Sequence, residues 1–190
     1  MIVLGSKSPR RQELLQKLGV AFRVLTAEVD ETTAPGLSAG EAVTQISARK
    51  AAATARLAGP DALIVCADTV VVLDGEIMGK PADRADALRM LTALSGRTHE
   101  VLTGVTVRRG ENSVSVVERT RVRFRELLPE ELEAYVDSGE PMDKAGSYGI
   151  QGLAASFVSH LDGDYFNVMG LPLCTLTVLL RSFGVRVLGA

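Results

Sequence analysis

From Ala62 to Leu73 the chain reads ALIVCADTVVVL, an apolar run of strand length into which one carboxylate, Asp68, and one hydroxyl, Thr69, are set. A run with so little polar alternation fits a strand covered on both faces, which calls for helices against a sheet. Asp74-Gly75 follows as a hairpin turn signal, so Glu76-Ile77-Met78 is expected to return antiparallel. An ionised Asp68 in that run carries a large desolvation cost unless a cation or a hydrogen-bond donor meets it. It is therefore either half of a structural salt bridge or a functional group, as metal ligand or general base. Lys80, just past the hairpin, is placed in sequence to return to the same end of the sheet.

The rest of the chain supplies the helices. Ile2-Val3-Leu4 reads as a short buried strand ending at Gly5. Ser8-Pro9 then gives an N-cap with proline at the first helical position, and Gly19 stops a helix carrying Leu14, Leu15 and Leu18 on one side. Phe22 to Thr26 suggests a second strand. Ser38 and Glu41 form a capping box that opens an alanine-rich helix through Val43, Ile46 and Leu57 to Gly59-Pro60. A third helix is expected from Asp83 to Leu94, with Ala87, Leu88, Leu91 and Leu94 inward and Gly96 ending it. Two long strands follow, Thr98 to Arg108 and Ser113 to Phe124. In the second, Val114, Val116, Val122 and Phe124 keep one parity and Arg119, Arg121 and Arg123 the other, continuing to Arg125, which favours a solvated strand face over an anion site. A short helix from Leu128-Pro129, an irregular stretch from Gly139 to Gly152, a strand near Phe157 to Leu161, a helix from about Pro172 to Phe183 and a strand at Val185 to Leu188 complete the reading. With no internal repeat or linker, 1–190 is expected to form a single α/β domain with a mixed sheet.

The 190 residues carry 21 Lys and Arg against 23 Asp and Glu, a net charge of −2, so no basic excess exists to coat a nucleic-acid polymer. Hydrophobic residues at 46% and charged residues at 23% are globular proportions rather than those of a disordered chain. Cys66 and Cys174 each sit in an apolar run and are expected as buried thiols in a reducing compartment. The opening MIVLGSKSPRR lacks the organisation of a signal peptide. The most apolar run, Leu171 to Leu180, is broken by Pro172 and two threonines and falls short of the roughly 20 residues of a membrane span. A cytoplasmic protein with no membrane partner is expected.

The sign of charge is segregated locally. Lys7, Arg10, Arg11, Lys17 and Arg23 face one acid, Glu13, in residues 1–23, whereas 24–48 hold Glu28, Asp30, Glu31 and Glu41 with no Lys or Arg. Ser6, Ser8, Arg10 and Arg11 surround a glycine turn at a helix start, where free N–H groups and arginines suit a phosphate. An N-cap followed by a solvated basic turn explains the same residues. Neither dinucleotide-binding nor P-loop glycine spacing is present. Between Gly139 and Gly152, Asp143, Lys144, Tyr148 and Gln151 lie among glycines, which suits either close backbone approach to a ligand or simple tight turns. Gln151 has an amide able to read a base edge. His99 and His160 are isolated and lack zinc-site spacing, which disfavours Ser-His-Asp and Cys-His hydrolysis. Carboxylates and lysines remain, and they point towards magnesium and phosphate.

SKSPRRQELL near the start, ARKAAA at 48–53, ADTVV at 67–71, KPAD with LSGRTHEVLTGV at 80–105, and GEPMDKAGSYGIQG with GDYFNVMGLPL at 139–173 resemble the Maf family of nucleoside triphosphate pyrophosphatases. The matches lie in order across nearly the whole chain. The resemblance implies an elongated mixed sheet flanked by helices, with two lobes around a central cleft, related to the inosine-triphosphate pyrophosphatases. It implies cleavage of a nucleoside triphosphate between the α and β phosphates with a divalent cation, Mg²⁺ first. Asp68 matches the family's proton acceptor. Ser6, Arg11, Glu31, Lys50 and Lys80 match positions contacting phosphate or metal, while Arg10, Thr69 and Gln151 match positions tied to base choice. The Ser-Pro-Arg-Arg form resembles the dTTP and UTP branch; Gly5 and Lys7 stand where Ala and Ser are commoner. Which of Glu31 and Asp68 is ligand and which is base stays open. So do two other readings: clearance of modified nucleotides, and a nucleotide-sensing regulator of cell division. A homodimer suits a domain of this size.

Overall fold

The computed structural model describes residues 1–187. Chain order is β1 (Ile2–Leu4), α1 (Pro9–Lys17), β2 (Phe22–Val24), α2 (Ala39–Ala58), β3 (Leu63–Leu73), β4 (Glu76–Met78), α3 (Arg84–Leu94), β5 (Thr98–Arg109), β6 (Asn112–Phe124), α4 (Pro129–Asp137), β7 (Val158–Asp162), α5 (Tyr165–Met169) and α6 (Leu173–Ser182). The strands form one mixed sheet of seven in the order β2-β1-β3-β5-β6-β7, with β4 paired to β3. β1 runs parallel to both β2 and β3, as helical crossovers require, and β4 and β7 are antiparallel to their partners. The mixed α/β expectation therefore holds.

Local chemistry starts and stops these elements. Ser8 caps α1 with Pro9 behind it, and Gly19 at φ +67° ends its turn. In α2 the Ser38 amide donates to Glu41 Oε2 at 2.8 Å while the Glu41 amide donates to Ser38 Oγ at 3.3 Å, closing the capping box. Asp74 and Gly75, at φ +53° and +84°, turn β3 back into β4. β3 is buried along its length apart from the half-buried Thr69.

By contacts the chain divides into two compact units. The first holds Met1–Asp68, Thr103–Glu118 and the segment from Gly170 onward; the second holds Thr69–Leu102 and Arg119–Met169. In the first, Val3, Ala51, Ile64 and Cys66 pack as one apolar cluster. A Cβ on Gly104 would lie 2.5 Å from the Val43 carbonyl oxygen, so α2 lies directly on the β5 backbone. In the second, His99, Phe124, Tyr148 and Phe157 form a chain of edge-to-face rings, with Tyr135 set against Phe157. His99 Nε2 lies 2.8 Å from the Tyr148 hydroxyl, and burial alone lowers its imidazole from 6.5 to about 4.

Two expectations are corrected. Cys174 is exposed, because the buried stripe of α6 runs through Leu173, Leu176, Leu179 and Leu180. Residues 185–187 form no strand, and Leu188 lies outside the described residues. The segment after Gly163 contains a short helix, α5, that the sequence did not announce. The arginine face of β6 is solvated as expected: Arg121 pairs across the strands with Asp162 on β7, its Nε 3.1 Å from Oδ2.

Candidate active site

Asp68 closes the first unit in the middle of β3, between the apolar stretches Leu63–Ala67 and Val70–Leu73. Strand geometry sends it and Thr69 to opposite faces, and Asp68 is the buried member of the pair. The cation its burial demands is Lys50. The ammonium, carried on α2, lies 2.7 Å from Asp68 Oδ1 and 3.0 Å from Glu31 Oε1. Asp68 and Lys50 side chains are only 12% and 16% exposed, whereas Glu31 is 60% exposed. The group therefore runs from a buried carboxylate to a solvent-facing one, with one ammonium between them.

The loop from β1 to α1 adds cations and donors to this unit. The Gly5 amide donates to the Val65 carbonyl at 2.9 Å, which sets the loop beside β3. A Cβ at Gly5 would overlap Cys66 Sγ, so glycine permits the approach. Ser6 is buried, and its Oγ accepts the Ser8 amide at 3.2 Å. Arg11 Nε donates to the Gly170 carbonyl at 2.7 Å. Burial lowers the Arg11 guanidinium below its usual value, and Asp68 is the strongest opposing charge, with Glu31 also acting on it. Arg10 is half-buried on the first turn of α1. Burial pushes the Cys66 thiol up to about 11, so it is no nucleophile.

Lys80, Thr69 and Gln151 belong to the second unit. Lys80 is exposed after β4, and the preceding Gly79 carbonyl accepts the Gly146 amide at 3.0 Å. That bond ties the β3–β4 hairpin to the glycine-rich segment, where Gly146 needs both φ +64° and the absence of a Cβ against Val71. Gln151 is exposed on that segment. Asp143 pairs with Lys144 at 2.6 Å, and Tyr148 is core rather than site.

Sequence reasoning missed two supporting residues. Glu140 accepts the Tyr135 hydroxyl at 3.0 Å on Oε1 and the Leu153 amide at 3.1 Å on Oε2, while Tyr135 accepts the Gly149 amide at 3.1 Å. One carboxylate thus organises the turn that presents Gln151. Arg49 similarly reaches the backbone around Glu31. Neither shows in sequence, because Arg49 acts on backbone carbonyls and Glu140 joins a side-chain hydroxyl to a backbone amide thirteen residues on.

Glu31 and Asp68 offer two hard oxygen donors converging on one cation position. Among the described residues no cluster of three or more His, Cys, Asp or Glu side chains is arranged to hold a metal ion. Two carboxylates nonetheless suit Mg²⁺, which keeps waters and takes phosphate oxygens to fill its shell. The residues present fit that ion.

The "Maf-like protein" family model matches residues 1–183. A protein of Symbiobacterium thermophilum named dTTP/UTP pyrophosphatase is 50% identical over 183 residues, covering 96% of this chain and 94% of its own. One of the same name from Pelotomaculum thermopropionicum is 51% identical over 189 residues, covering 98% of each. Among solved structures, a HAM1 protein from Coxiella burnetii superposes with a TM-score of 0.56 at 17% identity, over 95% of this chain and 98% of that one. The Staphylococcus aureus Ham1 protein gives 0.56 at 13% identity, over 96% and 98%. These structures share the fold. The fold, the ordered motifs and the full-length match agree: the chain belongs to the Maf-like protein family.

Proposed function

We propose that this protein hydrolyses nucleoside triphosphates, dTTP and UTP first, between the α and β phosphates, releasing the monophosphate and pyrophosphate. The observation that carries this reading is the Asp68–Lys50–Glu31 group, a buried carboxylate and a second carboxylate meeting on one ammonium. The relatives named dTTP/UTP pyrophosphatase support the substrate class. Water attacks the α-phosphorus, the bond to the bridging oxygen breaks, and the electron pair leaves with pyrophosphate. Asp68 orients the water and accepts its proton. Lys50 exchanges a carboxylate oxygen for a phosphate oxygen and, with Arg11 and Lys80, neutralises charge developing on the phosphates. A divalent cation, held by Glu31 and Asp68, supplies Lewis-acid polarisation of the phosphate oxygens when bound. Ser6 holds phosphate from the β1–α1 loop, and Arg10, Thr69 and Gln151 read the base.

The test is a panel of normal and modified nucleoside triphosphates with Mg²⁺, with pyrophosphate and orthophosphate measured separately. Pyrophosphate with one equivalent of monophosphate supports the reading; orthophosphate alone excludes it. Among the described residues no helix is long and apolar enough to cross a membrane. A cytoplasmic homodimer acting on free nucleotides accompanies the proposal, and sedimentation of the purified protein tests the dimer.

A further inference from the structure

We infer that Arg49 is a positioning residue for the proposed reaction: its guanidinium holds the backbone turn that carries Glu31. This rests on the metal-side role proposed for Glu31. Arg49 and Lys50 are neighbours on α2, so their side chains leave the helix about 100° apart. Lys50 takes the side chains of Glu31 and Asp68, whereas Arg49 takes the backbone on either side of Glu31. Its Nη1 donates to the Asp30 carbonyl at 3.1 Å and the Thr32 carbonyl at 2.6 Å. Nη2 donates to Gln45 Oε1 at 2.6 Å, one turn earlier on the same helix, which fixes the plane of the fork.

The turn is also tied from within. The Asp30 carboxylate accepts the Thr32 amide and the Thr32 hydroxyl, each at 2.8 Å, and these bonds hold it below the usual carboxylate range. With residues 30 and 32 both fixed, Glu31 keeps only its side-chain torsions. No regular element does this work: residues 25–37 contain no helix or strand. A groove of about 620 Å³, lined in part by Glu28, Thr33, Ala52 and Arg56, borders the same segment. Glu31 itself is exposed, so hydrogen bonds rather than burial determine where its carboxylate lies. A lysine could not replace Arg49, because a single ammonium on a flexible stem lacks the planar fork that Arg49 spreads between the turn and Gln45.

The experiment compares Arg49→Ala, Arg49→Lys, Glu31→Gln and the Arg49→Ala/Glu31→Gln double variant with the parent. It reads kcat and KM for UTP and, independently of turnover, Mn²⁺ affinity by electron paramagnetic resonance in the presence of pyrophosphate. Arg49→Ala is expected to lower kcat about ten- to hundredfold with KM changed less than about threefold, as a displaced group does. Mn²⁺ affinity falls about fivefold or more on the same account, and Arg49→Lys recovers little. The double variant is no worse than Glu31→Gln alone, because both changes act through one carboxylate. Where Arg49→Ala lowers the melting temperature, Arg49→Gln, which keeps part of the stem, is measured instead. Parent-like kcat and Mn²⁺ affinity in Arg49→Ala, or losses that multiply in the double variant, overturn the inference. If Glu31→Gln behaves as the parent, the role of Glu31 falls and this inference with it. If Glu31→Gln is crippled and Arg49→Ala is not, only the inference about Arg49 falls.

Discussion

A carboxylate as buried as that of Asp68 is stable only beside a cation, and Lys50 is that cation. Removing Lys50 leaves that carboxylate uncompensated, and Lys50→Met is expected to cost about 3–5 kcal/mol of stability in urea unfolding. Asp68→Asn keeps the shape and leaves Lys50 paired with Glu31. It should therefore fold normally yet lose about 10²- to 10⁴-fold in kcat for UTP, and parent turnover would remove Asp68 as the base. Gly5→Ala places a methyl group against Cys66 Sγ and within 2.8 Å of Thr54 Oγ1. Overpacking of that kind costs about 1–3 kcal/mol, and Cys66→Ala in the same chain should return part of it in the same unfolding measurement. Asp68 was legible in the sequence because a lone acid in an apolar run needs an explanation. Arg49 and Glu140 were not, since the bonds that give them their roles include backbone carbonyls and an amide that no residue pattern marks. Cys174 misled because its neighbours are apolar, while helical periodicity turns that one position outward.

Elements closed by their own local chemistry were readable: the capping box of α2, the Asp74-Gly75 turn, and the Gly19 and Gly96 stops, at φ +67° and +70°. The stretch Gly139 to Gly152 was not, because its order comes from Glu140 bonding Tyr135 and the distant Leu153 amide. Val185 to Val187 show the reverse failure: two valines favour a strand, but the Val185 amide donates back to the Leu180 carbonyl at 3.0 Å and the segment forms none. If Glu140 holds the turn that presents Gln151, Glu140→Ala and Gln151→Ala should raise KM for UTP together, each about three- to tenfold, the worth of one hydrogen bond. Pyrophosphate inhibition should stay near the parent value in both. An equal loss for every nucleoside triphosphate would make the segment structural rather than base-reading.

Over the whole molecule, the mixed sheet and its crossovers followed from strand, glycine and helix alternation, and the division into two compact units did not, since β3, β5 and β6 each pass from one unit to the other. The second unit carries a global pH signature. His99 stays neutral in the fold down to about 4, whereas in the unfolded chain it binds a proton near 6.5. Stability should therefore fall as pH drops from about 6.5 through about 4, by at most about 1.4 kcal/mol per pH unit, and level off below. Thermal unfolding of His99→Leu should lack that slope. The Arg125 guanidinium holds Glu131 down at about 2, so that pair weakens only at lower pH, as the carboxylate titrates from 4.5 through 2. Attack on the α-phosphorus by a group centred on Asp68 is tested by turnover of UTP in ¹⁸O-labelled water. UMP is expected to carry one ¹⁸O and pyrophosphate none, with turnover lost in Asp68→Asn. Label in pyrophosphate or in orthophosphate, or the same labelled UMP formed at the parent rate by Asp68→Asn, would contradict it.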